Sequence, residues 1–299
     1  EAEITAITEP DERQRQHTTE RFPHLKGVAF YDDHRAMLNA GNLDAVLIVS
    51  PHTLHFPQAM DALDAGMHVM LEKPMVCTVE HAKALINKFH TTGKVGVVGY
   101  QRHYDPVFRY MYDGIRNGEI GEVQFIQAIN CQNWYRGTRG TWRQDPALSG
   151  GGQLNDTGSH LVDILLWMIG HRARTVSAFI ENFDAPVDIN SALSITFQNG
   201  AIGNLSIIGN APVWHEDITV GGSEGMYLLR NGHFEVCDLD GKRHTPESLP
   251  QGSAPVQNFI NAILGKETVH STPDSALGVI ELTEAAWKSA AQGGAPVEV

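Results

Sequence analysis

The chain has 299 residues, of which 42% are hydrophobic and 19% charged, and these proportions exclude a disordered or fibrous protein. A net charge of -13 without a cluster of basic residues argues against a nucleic-acid or anionic-membrane partner, because both carry negative charge. No apolar run approaches the ~20 residues of a membrane span, and the length favours two domains. We therefore expect a globular protein whose partners are small molecules.

The cysteines and histidines form no metal or disulfide pattern. Cys77, Cys131 and Cys237 are widely spaced and odd in number, so they predict neither a disulfide framework nor a zinc site. This usage favours a reducing compartment, and we expect a cytoplasmic protein. The fifteen histidines are scattered without a carboxylate at metal-binding spacing, so no metal is expected.

Short β-branched runs alternate with helical stretches over the first hundred residues. In chain order the runs predict strands at 4–8, 45–49, 68–71 and 95–99, with helices at 10–21, 57–65 and 78–91 between them. Such alternation is typical of a parallel sheet covered by helices. The fold class of this half is therefore α/β.

Beyond residue 122 strand patterns follow one another with few helices between them. The predicted strands are 123–128, 176–181, 191–198 and 201–208. Asn199-Gly200 is a strong signal for a tight hairpin turn between the last two. This half is expected to be an α+β domain with an open, mostly antiparallel sheet.

Glu9 follows the first predicted strand, where parallel sheets commonly bind the ribose hydroxyls of a dinucleotide. A carboxylate there would repel a ribose phosphate, which favours NAD over NADP. Alternatively, Glu9 is an acid at a helix N-terminus beside Pro10, stabilised by the helix dipole. The fingerprint G-x-G-x-x-G, which normally lies ~20 residues before such an acid, does not occur in the chain, so we expect a first strand, glycine turn and helix to precede residue 1.

A lysine follows the strand at 68–71, in the segment Leu71-Glu72-Lys73-Pro74-Met75. Open α/β sheets bind ligands at the carboxyl ends of their strands, and the end of the strand at 45–49 should lie at the same edge. Lys73 is thus a candidate for a site in that crevice. The alternative is an ordinary solvated lysine in a surface turn.

A glycine run at 150–152 leads towards Asp156 and His160, which are predicted to share a face of one helix. The spacing suits a histidine acid/base whose protonated form is stabilised by the aspartate. In the other interpretation Asn155 or Asp156 caps the helix and His160 is a satisfied interior residue.

Several short motifs occur in a fixed order along the chain, namely Ser50-Pro51-x-x-x-His55, Glu72-Lys73-Pro74, Gly99-Tyr100-Gln101-Arg102, Trp142-Arg143-x-Asp145-Pro146, Gly150-Gly151-Gly152 and Asp156-x-Gly158-x-His160. This set resembles the Gfo/Idh/MocA family, named for glucose-fructose oxidoreductase, inositol dehydrogenase and a rhizopine catabolism protein, over nearly the whole chain. The chain departs from the family pattern in one respect, because it lacks the glycine motif. The resemblance implies an NAD(P)-dependent dehydrogenase with a Rossmann-type domain at 1–101, truncated at its N-terminus, and a substrate-binding and oligomerisation domain at 102–299.

The resemblance also implies roles for individual residues. Lys73 would polarise the substrate oxygen, His160 would accept the hydroxyl proton, and Asp156 would position the substrate and tune His160. The implied cofactor-binding residues are Glu9, Ser50, Pro51, His55, Glu72, Lys73, Gln101, Trp142 and Arg143. The implied substrate contacts are Lys73, Arg102, His103, Tyr135, Asn155, Asp156 and His160.

The implied reaction is hydride transfer between NAD, or NADP, and a secondary alcohol or carbonyl of a sugar, inositol or related polyol. A homo-oligomer, dimer or tetramer, is expected through the C-terminal sheet. Two alternatives are an NAD-dependent glycosidase that oxidises its substrate transiently and a ligand-sensing protein. Lys73, Asp156 and His160 argue against the sensor, because a pure binder needs no proton-transfer pair.

Overall fold

The computed structural model describes residues 2–299, and strands alternate with helices through the first hundred of them. In chain order the elements are β1 (Ala6–Thr8), α1 (Glu12–Arg21), β2 (Ala29–Tyr31), α2 (His34–Asn39), β3 (Ala45–Ile48), α3 (His55–Asp64), β4 (His68–Leu71), α4 (Val79–Thr92) and β5 (Gly96–Val98). Every strand pairing in this part is parallel, which confirms the predicted α/β class. The described residues form two parallel sheets, β1-β2 and β3-β4-β5, that share no strand.

The predicted elements of this half agree with the observed ones to within a few residues, and α4 illustrates why. Thr78 caps the helix by accepting the N–H of His81, and Gly93 ends it in the left-handed conformation at φ 63°. The apolar positions between these caps are buried at helical spacing. By contrast, β2 and α2 have no counterpart among the predicted elements, because both are short and contain no buried residue.

The second half is built around one large sheet. Its elements are α5 (Pro106–Arg116), β6 (Val123–Asn133), α6 (Trp134–Gly137), α7 (Pro146–Ser149), α8 (Gly158–Ile169), β7 (Ala173–Glu181), β8 (Asn190–Phe197), β9 (Ile202–Ile208), β10 (Asn210–Gly222), β11 (Gly225–Arg230), β12 (His233–Asp238), β13 (Arg243–His244), α9 (Pro255–Ile263), α10 (Pro273–Ala291) and β14 (Val297–Glu298). The strand order is β13-β12-β11-β10-β6-β9-β8-β7-β14. Among the described strands of this large sheet, only the β6–β9 pairing is parallel, which confirms a mostly antiparallel sheet.

The sheet has one buried and one open face. Along β8 the side chains of Leu193 and Ile195 are buried, whereas Ala192, Ser194 and Thr196 are exposed. The buried face packs against α8 and α10. The hairpin predicted between β8 and β9 is confirmed, with the second turn residue in the left-handed region.

The chain returns to the parallel sheet after leaving it. Phe259 of α9 packs against Met70 and Val97, and the backbone N–H of Val98 donates to the carbonyl of Ser271 at 3.0 Å. The residues around 255–273 therefore complete one face and one edge of the β3-β4-β5 sheet.

The start of α8 differs from the prediction. The helix begins at Gly158, so Asp156 lies in a preceding turn and shares no helix face with His160. The reason is local, because the N–H of Gly158 bonds to Gln153 O at 2.8 Å and that of Asp156 to Gly152 O at 3.0 Å. These bonds close a separate turn before the helix can begin.

Candidate active site

The carboxyl ends of β3, β4 and β5 bring three polar turns to one edge of the sheet. The backbone N–H of Glu72 donates to Ile48 O, and that of Gly99 donates to Leu71 O. The turns that follow these strands carry Ser50, Lys73 and Gln101. Parallel pairing thus produces the crevice edge expected from the sequence.

His55 fastens two of these turns together. Its Nδ1 lies 2.8 Å from Pro74 O and its Nε2 lies 3.0 Å from Ser50 O, and the side chain is fully buried. The peptide bond between Lys73 and Pro74 is cis. His55 therefore supports the backbone beside Lys73, and the direct cofactor contact expected of it does not fit this placement.

Lys73 and Asp156 form an ion pair in the crevice. The Lys73 Nζ lies 2.6 Å from Asp156 Oδ1 and 3.3 Å from its backbone oxygen. The other carboxylate oxygen, Oδ2, accepts the indole N–H of Trp134 at 2.8 Å and Nε of Arg143 at 3.1 Å. Each oxygen of this buried carboxylate thus has a donor, and Lys73 is not the free surface lysine of the alternative interpretation.

Asp156 is held in its ionised form. Burial alone would raise its pKa, but the charge and hydrogen bond of Lys73, together with the Trp134 indole, hold the pKa well below the usual range of an aspartate. A permanently charged carboxylate keeps the Lys73 ammonium in one position.

His160 lies beside this pair as a neutral imidazole. Burial lowers its pKa well below 6.5, and the charges of Lys73 and Arg102 lower it further. Its Nδ1 is buried without a hydrogen-bond partner, although the side chain as a whole is partly exposed. Both oxygens of Asp156 accept from Lys73, Trp134 and Arg143, and neither bonds to the imidazole. The charge of Asp156 raises the pKa of His160, as expected, but burial and the charges of Lys73 and Arg102 outweigh it, so at neutral pH the ring is ready to accept a proton.

A second histidine, His52, is in the sequence one of many scattered histidines. It is 4% exposed, its Nδ1 lies 3.1 Å from Ser149 O, and its Nε2 lies 3.8 Å from Asp156 Oδ1. Trp142 packs edge-on against it, with the ring centroids 4.8 Å apart. Burial lowers the pKa of His52 to about 4. No local pattern marks this residue, because its partners come from distant parts of the chain.

Groups that suit a dinucleotide follow the same strand ends. Ser50, Glu72 and Gln101 present a hydroxyl, a carboxylate and an amide after β3, β4 and β5, and Gln101 is exposed. These are the donors and acceptors that ribose hydroxyls and a carboxamide require. The donor set therefore fits a nicotinamide dinucleotide, with Pro51 beside Ser50.

Glu9 follows β1 and is partly exposed. Its Oε1 accepts the N–H of Asp11 at 2.9 Å, just before α1, as the helix-terminus interpretation expects. Arg15 donates to the carbonyl of Glu9 and is already paired with Asp32. The local hydrogen bond leaves the other carboxylate oxygen of Glu9 for a ligand.

The expected substrate contacts divide into two groups. Arg102 is paired with Glu216 from β10, and Tyr135 is partly exposed. By contrast, His103 is fully buried against Asp163 at 2.8 Å, and Asn155 is buried with its amide donating to Ser149 O. The direct contact expected of His103 and Asn155 does not fit, because both side chains are engaged within the core.

No helix between residues 2 and 299 combines the length and apolarity that crossing a bilayer demands. Within the same residues, no group of three or more His, Cys, Asp and Glu side chains is placed to hold a metal ion.

Comparison with protein families matches both halves of the chain. Residues 1–100 match the oxidoreductase family with an NAD-binding Rossmann fold, and residues 108–228 match the GFO/IDH/MocA C-terminal domain. The two matches together cover most of the chain.

Several curated proteins are similar in sequence. The scyllo-inositol 2-dehydrogenase (NAD(+)) of Bacillus subtilis (strain 168) is 26% identical, over 79% of this chain and 76% of that protein. The levoglucosan dehydrogenase of Pseudarthrobacter phenanthrenivorans is 25% identical over 66% of this chain and 58% of that protein. The 1-carboxy-3-chloro-3,4-dihydroxycyclo hexa-1,5-diene dehydrogenase of Comamonas testosteroni is 29% identical over 62% of this chain. The matched region spans only 47% of that protein's length.

Solved structures share the fold. GenD2 from gentamicin A biosynthesis, in complex with NAD, has a TM-score of 0.84 at 25% identity, covering 99% of this chain and 89% of that one. A levoglucosan dehydrogenase in complex with NADH and levoglucosan has a TM-score of 0.88 at 22% identity, covering 99% and 90%. The family resemblance read from the motifs is confirmed, and the chain belongs to the Gfo/Idh/MocA family of oxidoreductases.

Proposed function

We propose that the protein is an NAD-dependent dehydrogenase that oxidises a secondary alcohol of a sugar, inositol or related polyol. The observation that carries this proposal is the Lys73–Asp156 ion pair next to a neutral His160, at the edge where parallel strands end. The names of two similar proteins, an inositol dehydrogenase and a levoglucosan dehydrogenase, support the substrate class.

In the proposed reaction Lys73 donates a hydrogen bond to the substrate hydroxyl oxygen and stabilises the negative charge that develops there. His160 accepts the hydroxyl proton, since its lowered pKa keeps the ring neutral at pH 7. The bound dinucleotide supplies the hydride acceptor. Asp156 holds the Lys73 ammonium and, with Arg143, orients the substrate. The alcohol C–H and O–H bonds break, and a carbonyl forms.

We infer that the dinucleotide is held by Ser50, Pro51, Glu72, Gln101, Trp142 and Arg143, with Glu9 accepting from the ribose. The carboxylate of Glu9 and the engagement of Arg15 by Asp32 support NAD over NADP. Arg102 and Tyr135 are the proposed additional substrate contacts. The division at 101/102, with cofactor binding before it and substrate binding after it, stays a prediction.

The proposal extends to assembly and location. The open face of the large sheet carries exposed Phe179 and Ile202 beside the small side chains Ala192 and Thr196. Such a face supports a homo-oligomer, dimer or tetramer, formed through this sheet. Cys77, Cys131 and Cys237 are all free thiols, which supports a reducing cytoplasm.

The test is a spectrophotometric assay of the full-length protein with a panel of polyols and sugars, using NAD and NADP separately. We expect reduction of NAD with at least one cyclic polyol or pyranoside. Retained cofactor with glycoside cleavage and no net NADH would favour the glycosidase alternative. Binding of cofactor and sugar without any turnover would contradict the dehydrogenase and favour a sensor.

A further inference from the structure

A buried carboxylate outside the proposed reaction centre contacts the segment that leads to Asp156. Asp188, between β7 and β8, is 6% exposed. Its Oδ1 accepts the N–H of Gly152 at 2.9 Å and the indole N–H of Trp287 at 3.1 Å, and its Oδ2 accepts the N–H of Leu154 at 2.7 Å. Its backbone oxygen accepts the N–H of Gln153 at 2.9 Å. Three successive residues of the segment are thus bound to one aspartate.

Every one of these partners is a donor. A carboxylate can satisfy all of them, whereas an amide or a protonated carboxyl would turn one donor towards another. Burial raises the pKa of Asp188, while the N–H groups of Leu154, Gly152 and Trp287 oppose that rise. The arrangement therefore calls for the charged side chain at this position.

Close packing leaves the segment 152–156 little room for another conformation. A Cβ atom at Gly152 would lie 2.0 Å from the backbone oxygen of Asp188, and one at Gly151 would lie 2.5 Å from the Trp287 ring. Asp156 follows directly, its N–H bonded to Gly152 O at 3.0 Å. The position of the Asp156 carboxylate is thus fixed by the bonds that Asp188 makes two to four residues earlier.

We propose that Asp188 is a positioning residue that holds the 152–156 segment so that Asp156 meets Lys73. Its catalytic consequence rests on the proposed dehydrogenase function. No sequence pattern indicates this role, because Asp188 lies in a loop far from Asp156 along the chain.

The test compares Asp188→Asn, which is almost isosteric, with Asp184→Asn, a control in the same connection whose side chain is exposed and paired with Arg139. Steady-state kinetics and hydrogen–deuterium exchange of a peptide covering 150–157 are measured for both and for the wild type. For Asp188→Asn we expect kcat to fall on the order of 10- to 100-fold, with KM within about 3-fold, because displacing a reacting group by ~1 Å costs this much. Exchange of the 150–157 peptide should accelerate while peptides of β8 and β9 stay unchanged. Asp184→Asn should match the wild type in both measurements.

Unchanged exchange in Asp188→Asn, or faster exchange with kcat within about 2-fold of the wild type, would overturn the proposal. If Asp188→Asn fails to fold, Trp287→Phe removes a single donor to the carboxylate, and unchanged exchange at 150–157 in that variant would overturn it as well. A wild type inactive on every substrate, with exchange still accelerated in Asp188→Asn, would reject the proposed function and leave the ordering of the segment standing.

Discussion

The carboxylate of Asp156 is 6% exposed and receives donors from three separate parts of the chain, Lys73, Trp134 and Arg143. Taking a charged group out of water costs several kcal/mol unless it is paired and hydrogen-bonded. Asp156 meets that condition only when all its partners are in place. The geometry of the site is therefore sensitive to the loss of any one of them.

We expect Lys73→Ala to lower kcat by about 100-fold or more, because the substrate oxygen loses its charged donor and Asp156 loses its main partner. Steady-state kinetics with the substrate found in the polyol screen measures the effect. Lys83→Ala, which removes an exposed lysine of α4, is the control. A Lys73→Ala protein with nearly full activity would show that Lys73 has no catalytic role.

His52 should make stability depend on pH. In the unfolded chain its pKa is the ordinary 6.5, whereas burial lowers it to about 4 in the folded protein. The unfolded state therefore binds the proton first, so the contribution is complete above pH 6.5 and is lost as the pH falls towards 4, by about 3 kcal/mol. Urea unfolding at pH 7 and pH 4.5 should show a smaller pH-dependent loss in His52→Gln than in the wild type. Equal losses in both proteins would rule out this contribution.

Some residues of the site could be predicted from the sequence, and others could not. Lys73 and His160 stand next to clear strand and helix patterns, so their positions could be predicted. His52, Trp134 and Asp188 reach Asp156, directly or through its segment, from positions that only the tertiary structure brings together. His55 lies in one of the family motifs and His103 is among the expected substrate contacts, yet burial in the core gives both a supporting role.

Elements could be predicted well wherever burial leaves a pattern in the sequence. The strand at 68–71 has the predicted bounds because its last three residues are buried and form an apolar run. Helix α4 differs by one residue at each end because its three-and-four spacing records which side faces the core. The turn before α8 could not be predicted in this way. Its shape depends on close contacts of the glycine run with Cys77, Trp287 and Asp188, which lie on other elements.

Gly152→Ala tests that close packing. The added methyl group would overlap the backbone of Asp188, which cannot rotate away as a side chain could, so we expect the free energy of unfolding to fall by ~1–3 kcal/mol or more. The kcat should fall as well, since the segment carries Asp156. Gly137→Ala is the matched control, because a Cβ there meets no atom within 4 Å. Equal urea midpoints for the two variants would contradict the packing argument.

For the molecule as a whole, the net charge of -13 opposes association between copies, whereas the open sheet face favours it. Negative charge keeps the molecules apart at long range, but it is screened beyond about 10 Å in ordinary buffers. The small, uncharged side chains on the outer face of β8 place no charge at that surface. Close association through this face is therefore compatible with the overall charge.

In Ser194→Arg the proposed homo-oligomer should dissociate into smaller species, because the substitution places a charge and a long side chain on the outer face of β8. Sedimentation velocity measures the change. Gln14→Arg, on the exposed surface of α1, adds the same charge elsewhere and should leave the assembly intact. An unchanged sedimentation coefficient for Ser194→Arg would contradict assembly through this face of the sheet.

Two contacts between distant parts of the chain have a consequence for biosynthesis. Val98 N bonds to Ser271 O, and Phe259 packs on Met70 and Val97. The β3-β4-β5 sheet leaves the ribosome long before the residues that cover it are made. Until then one apolar face and one strand edge stay open to other chains. Contacts between residues so distant in sequence also form slowly. Final folding of the first half should therefore wait until residues 255–273 have been made, and nascent chains should depend on chaperones during that interval.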